Sequence, residues 1–172
     1  MRALVVALSL AAAGCVSAQG ANDTQAPFAT VLGCADSRLA PELIFDQFFG
    51  DIFVVREAGN IAASPTNLGS LEFAQAALGV KLVLVLGHSA CGAVRAALNG
   101  DRPGGNIQAV VDAIEPGIKG ATTLDEAIVD NVHATIATIR AQSAILRSAE
   151  AGGAIAISGS VYDIASGVVT FL

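Results

Sequence analysis

Apolar residues in this chain come in short, β-branched runs separated by stretches of helical period. The runs Phe28–Gly33, Ile52–Val55, Lys81–Gly87 and Ala154–Ser158 read as four core strands, each brief, rich in Val, Leu, Ile or Ala, and without the alternation of a half-exposed strand. Helices are expected near Pro41–Phe49, Leu68–Gly79, Cys91–Asn99 and Asn106–Ile114. Pro41 suits a first helical turn and Gly79 a helix end. Leu124, Ile128, Val132, Ile136 and Ile139 recur at three- and four-residue steps and predict a longer amphipathic helix. Val161–Ile164 and Val168–Leu172, parted by Ala165-Ser166-Gly167, predict a terminal hairpin. Strands alternating with helices imply an α/β fold: a mostly parallel sheet of four core strands flanked by helices, with a C-terminal strand pair.

Two of these strand ends carry chemistry. Cys34-Ala35-Asp36-Ser37-Arg38 follows the first run, and His88-Ser89-Ala90-Cys91-Gly92 follows the third. In an open parallel sheet, ligands gather at the carboxyl ends of neighbouring strands, so the two segments can meet there. Cys34, His88 and Cys91 then form a Cys₂His set, which holds zinc with one position open, as catalytic zinc sites require. Cys91 opens a helical stretch, where the helix N-terminus favours a thiolate. Asp36 and Arg38, two apart on a turn, can form a charge-assisted pair in which the arginine orients the carboxylate.

Plainer readings compete with this one. Cysteine is often a small buried hydrophobe, and a single histidine is more often a core residue than a ligand. Cys34 and Cys91 could form a disulfide in an oxidising compartment. A disulfide, however, needs neither His88 nor the Asp36–Arg38 pair. A nucleophile elbow is a poor fit, because the second glycine of Gly87-His88-Ser89-Ala90-Cys91-Gly92 comes one residue late. The paired motifs of a zinc deaminase are absent.

The paired segments resemble the β-class carbonic anhydrases, and the resemblance extends from about Gln25 to the C-terminus. It continues through Gly50-Asp51-Ile52-Phe53-Val54-Val55-Arg56, Ala58-Gly59-Asn60, Gly69-Ser70-Leu71-Glu72-Phe73-Ala74, Asn131-Val132 and Gly159-Ser160-Val161-Tyr162-Asp163. It implies one zinc ion per chain on Cys34, His88 and Cys91, and reversible hydration of CO₂ to bicarbonate. It also implies that Asp36 hydrogen-bonds the zinc-bound nucleophile, and becomes a fourth ligand only in a closed state reached when Arg38 lets go. Gln25, Phe53, Phe73 and Gly92 stand where the family contacts substrate, in a pocket completed by a neighbouring subunit. A homodimer or higher even oligomer is therefore expected. Val31 stands where the branch with a separate inhibitory bicarbonate site carries tryptophan, so that site is not expected here. A related zinc hydrolase acting on carbonyl sulfide or carbon disulfide is the alternative, and a catalytically silent zinc-binding module is the third.

Composition narrows the partners. At 172 residues, 53% hydrophobic and with a net charge of −6, the chain suits one well-filled domain and a small substrate rather than nucleic acid or an anionic membrane. Met1-Arg2, the apolar stretch Ala3–Ala13 and the small residues Val16-Ser17-Ala18 read as a signal peptide over residues 1–18, leaving a single domain over 19–172. The stretch is too short to span a membrane. A periplasmic or secreted protein is expected, with a lipid anchor at Cys15 as the alternative.

Overall fold

The computed structural model describes residues 25–172; the expected signal peptide and Cys15 lie outside them. Five strands form one sheet: β1 (Ala29–Gly33), β2 (Ile52–Arg56), β3 (Leu82–His88), β4 (Ala156–Tyr162) and β5 (Val169–Phe171). They lie in the order β2-β1-β3-β4-β5, with β5 alone antiparallel. The central strands β1 and β3 are buried along nearly their whole length, which is why their sequences run apolar without alternation.

Among the described residues, six α-helices cover the two faces: α1 (Pro41–Ile44), α2 (Pro65–Ala76), α3 (Gly92–Leu98), α4 (Gly105–Ile114), α5 (Leu124–Gln142) and α6 (Ala144–Ala151). Successive strand residues point to opposite faces. Val31, Leu84 and Leu86 therefore join Val94, Val111 and Ile114 in one core cluster, while Leu32, Val83 and Val85 join Leu71, Ile139 and Leu146 in the other. The helix α5 contributes Ala127 and Ile128 to the first cluster and Val132, Ile136 and Ile139 to the second.

Three expectations change. The helix expected over Pro41–Phe49 stops at Ile44, because Asp46 takes a left-handed φ of 52° and the Asp51 carboxylate accepts the Phe48 N–H at 2.8 Å. The expected fourth strand and the first hairpin strand are one continuous strand, β4, paired with β3 from Ala156 to Tyr162 and with β5 from Ser160 to Tyr162. Gly159 interrupts the apolar pattern but not the strand. A Cβ there would lie 2.6 Å from Val132 Cγ1, so the glycine marks the place where α5 seats on the sheet. Finally, α6 was not expected. Ser143 ends α5 and caps α6 by accepting the Leu146 N–H at 3.1 Å, while its hydroxyl donates to Glu72 at 2.6 Å.

Helix starts follow local chemistry. Ser64 caps α2 ahead of Pro65, moving its start three residues before the expected Leu68. Thr123 and Glu126 form a reciprocal capping box on α5.

Gly159→Ala should destabilise the fold by ~1–3 kcal/mol through overpacking against Val132 and Ile136, seen as a lower urea midpoint at unchanged slope. Glu126 has its carboxyl held below the usual range by the Thr122 N–H and hydroxyl and the Thr123 N–H. Its stabilising effect is therefore complete above the unfolded value of ~4.3 and is lost as pH falls through the lower folded value. Acid titration of the Thr122 and Thr123 amide shifts should show this, and Glu126→Gln should abolish it.

Candidate metal centre

The sheet changes direction of growth between β1 and β3: from β1 the chain goes first to β2 on one side and then to β3 on the other. The carboxyl ends of these two strands are adjacent, with Gly33 paired to Leu86. Cys34 is the first residue beyond β1, and His88 is the last of β3. His88 shares the face of Leu84 and Leu86, so its side chain falls on the same side as Cys34. Ala90 then adopts φ 57°, a conformation that costs a non-glycine residue about 1–2 kcal/mol, and turns the chain so that Cys91 caps α3.

The result is a compact donor set. One ligand atom from each of Cys34, His88 and Cys91 lies within 4.8 Å of the other two. All three residues are buried, with His88 fully so. It is the one such cluster of three or more His, Cys, Asp or Glu found among the described residues. Both cysteines are free thiols. The Nδ1 of His88 faces the carbonyl of Ser89 at 2.9 Å, and its Nε2, although buried, has no hydrogen-bond partner. Donation from Nδ1–H to that carbonyl leaves the Nε2 lone pair free for a metal. A buried, orphaned imidazole nitrogen beside two thiols fits zinc in donor type and number.

The neighbouring Cys91 sulfur, opposed by burial and reinforced by His88 and the Gly59 N–H, holds the Cys34 thiol well below its usual range. The same neighbour and burial push Cys91 upward, despite the Ala93 and Val94 N–H groups at the head of α3. Burial opposes the protonation of His88, but the adjacent Cys34 sulfur outweighs it and raises the imidazole's pKa.

Asp36 sits at the open side. Arg38 Nε and Nη2 donate to its two carboxylate oxygens at 2.8 and 2.7 Å, and the Arg38 N–H donates at 3.0 Å. The hydrogen bonds from Arg38 hold the carboxyl far below the usual carboxylate range. Asp36 Oδ2 also lies 3.9 Å from His88 Nε2. The expected pair is thus formed, bidentate and next to the donor set.

Sequence reasoning gave no role to several supporting residues. Arg56, at the end of β2, donates to the carbonyls of Cys34 at 3.2 Å and Asp36 at 2.6 Å, clamping the turn that carries both. The Gly59 N–H donates to Cys34 Sγ at 3.3 Å, and Asn131 donates to the Gly59 carbonyl at 2.8 Å. Ser89 braces the His88 segment by donating its N–H to Tyr162 and accepting the Ile164 N–H, each at 2.9 Å. Arg56, Gly59 and Asn131 all fell within the motifs of the resemblance, which was the available signal.

The remaining candidates are dispersed. Gly92 begins α3 beside Cys91. Gln25 is exposed ahead of β1, at the sheet end opposite Cys34. Phe53 pairs with Thr30, four residues before Cys34, and its ring lies 6.4 Å from that of half-exposed Phe73. One chain does not bring Gln25, Phe53 or Phe73 to its own metal centre.

A parallel sheet with a Cys₂His donor set at its switch point defines a zinc enzyme of the α/β class. Residues 29–169 match the carbonic anhydrase family. The chain is 44% identical to carbonic anhydrase 2 of Mycobacterium tuberculosis over 152 residues, covering 83% of this chain and 73% of that protein. It is 34% identical to the carbonic anhydrase of Pseudomonas aeruginosa, covering 86% and 74% respectively. Among solved structures, one of two tetrameric β-carbonic anhydrases from Sordaria macrospora superposes with a TM-score of 0.77 at 29% identity, covering 87% of this chain and 82% of that one. The Coccomyxa β-carbonic anhydrase in complex with acetazolamide gives 0.76 at 28%, covering 87% and 73%. The chain belongs to the β-carbonic anhydrase family.

Purified protein should carry about one zinc per chain. Cys91→Ser should lose the metal, as measured by elemental analysis after gel filtration, and full retention would contradict the assignment of ligands.

Proposed function

We propose that this chain catalyses the zinc-dependent reversible hydration of carbon dioxide to bicarbonate and a proton, with Asp36 and Arg38 as the working pair beside Cys34, His88 and Cys91. The observation that carries this reading is the orphaned Nε2 of buried His88, set among two thiols and faced by a carboxylate locked to an arginine. Zinc, when bound there, acts as a Lewis acid that makes water nucleophilic near neutral pH.

The chain's own residues supply the rest. Arg38 keeps Asp36 ionised, so Oδ2 can only accept a hydrogen bond, and it does so beside the donor set. A water held by that acceptor keeps a lone pair directed away from it, towards an incoming CO₂. Arg56 fixes the backbone of the same turn, which holds Oδ2 in place. With both Arg38 bonds intact the carboxylate is committed to arginine, which corresponds to the open form of the site. Release of Arg38 would free Asp36 to become a fourth ligand. Gly92 begins α3 beside Cys91, and Gln25, Phe53 and Phe73 serve the pocket of a neighbouring subunit in a homodimer or higher even oligomer. CO₂ has no dipole, so apolar rings suit that wall.

The N-terminal segment directs the chain out of the cytoplasm. Its single positive charge, apolar run and small residues through Ala18 support removal of residues 1–18 and a periplasmic or secreted domain. Ala12-Ala13-Gly14-Cys15 supports a lipid anchor as the second reading. Among the described residues, no helix is long and apolar enough to cross a membrane.

Arg38→Ala should keep its zinc while CO₂ hydration, followed by stopped-flow, drops ~10–100-fold; near wild-type turnover across neutral to alkaline pH would remove the pair from the mechanism. Sedimentation at micromolar concentration should show an even oligomer, and an active monomer would overturn the shared pocket. Intact mass of the protein recovered from cell fractions should correspond to residues 19–172. An added lipid on Cys15 would establish the anchor instead, and an uncleaved cytoplasmic chain would exclude both.

A further inference from the structure

Two thiolates donate enough charge to blunt zinc as an acid, so any group that draws charge back from sulfur tunes the centre. The Gly59 peptide is such a group. Its N–H donates to Cys34 Sγ at 3.3 Å in buried surroundings. Gly59 has φ 72° and ψ 18°, and a Cβ there would come within 2.6 Å of Ile114 Cδ1 and 3.3 Å of Ala93 Cβ. The next residue, buried Asn60, is also left-handed at φ 48°. Two successive residues in this region need an outside hold, since the second costs about 1–3 kcal/mol.

Asn131 provides that hold. It is 2% exposed on the core-facing side of α5, among Ala127, Ile128, Val132 and Thr135, and its Nδ2 donates to the Gly59 carbonyl at 2.8 Å. Burying an amide on this face costs free energy unless it is hydrogen-bonded, and an apolar side chain would fill the helix face without that demand. The bond it makes spans 72 positions in sequence and ends one peptide away from a metal ligand.

We infer that Asn131 is a positioning residue of the metal centre: by holding the Gly59 carbonyl it fixes the left-handed φ and ψ of Gly59, and so aims the Gly59 N–H of the preceding peptide unit at Cys34 Sγ and tempers the charge that this thiolate gives the metal. The inference rests on the zinc reading above. Asn131 touches neither substrate nor metal, so its effect passes through Cys34.

The test uses full-length protein loaded with cobalt(II), whose thiolate-to-metal charge-transfer band reports sulfur donation, together with zinc affinity from chelator competition. Asn131→Ala should move the band to longer wavelength and weaken zinc binding ~10–100-fold. Ile139→Ala, a truncation of a fully buried residue two turns along the same helix, should lower stability and leave the band in place. Should Asn131→Ala not fold, Asn131→Leu keeps a similar volume and carries no donor, and is read in the same way. In the wild-type protein loaded with cadmium-113, the Gly59 amide proton should show scalar coupling to the metal through the N–H···S bond. A folded Asn131 variant with wild-type band and affinity, or no cadmium coupling at Gly59, would overturn the inference. Wild-type protein that takes up no zinc would instead overturn the zinc reading itself.

Discussion

The parallel pairing of β1 with β3 is the constraint on which the rest depends. Its register sets Gly33 against Leu86, and so delivers Cys34 and His88 to one end and one face of the sheet. A slip of one residue would turn His88 into the opposite core cluster and leave Cys34 facing apolar side chains. Burial on both faces enforces the register, because Val31, Leu32 and Val83 to Leu86 all lose their places together if it moves. Stability of the sheet and assembly of the metal centre are therefore one requirement.

The second demand is electrostatic. Cys34 and Cys91, with Asp36 alongside, concentrate potential negative charge in a nearly closed space, and isolated buried anions are costly. Each is answered. Arg38 takes both oxygens of Asp36, and the Gly59 N–H takes Cys34 Sγ. Arg56 adds a positive charge while binding only backbone carbonyls. Beside them, His88 Nε2 is buried without a partner. A divalent cation would partner it together with both sulfurs, which ties metal binding to the same network that positions the turn.

Much of this network is carried by glycines and by polar groups that a pattern of apolar residues does not rank. Gly87 and Gly159 let α5 approach β3 and β4, where a Cβ would lie within 2.7 Å of Val132. Gly59 reaches Cys34 by a left-handed turn, and Asn131 crosses from α5 to hold it. The rim beyond the donor set is less complete in one chain. Gln25 and the Phe53–Phe73 pair sit away from Cys34, on the far end and the β2 edge of the sheet.

The sequence alone determined the core strands, the helix period of α5, and the donor set, because burial on both faces writes continuous apolar runs and because Cys34, His88 and Cys91 sit directly at strand ends. Its helix limits were less legible: α1 stops early at left-handed Asp46, and α6 begins on a serine that also closes α5. Joining the expected fourth strand to the hairpin required seeing Val132 above Gly159, since a glycine in an apolar run reads as a break until its partner is in place. Only the tertiary structure gave Arg56, Gly59 and Asn131 their tasks. Arg56 and Gly59 bond the Cys34 segment, and Asn131 bonds Gly59 from 72 positions away; no local period or propensity encodes a contact that exists only once the sheet has brought its ends together.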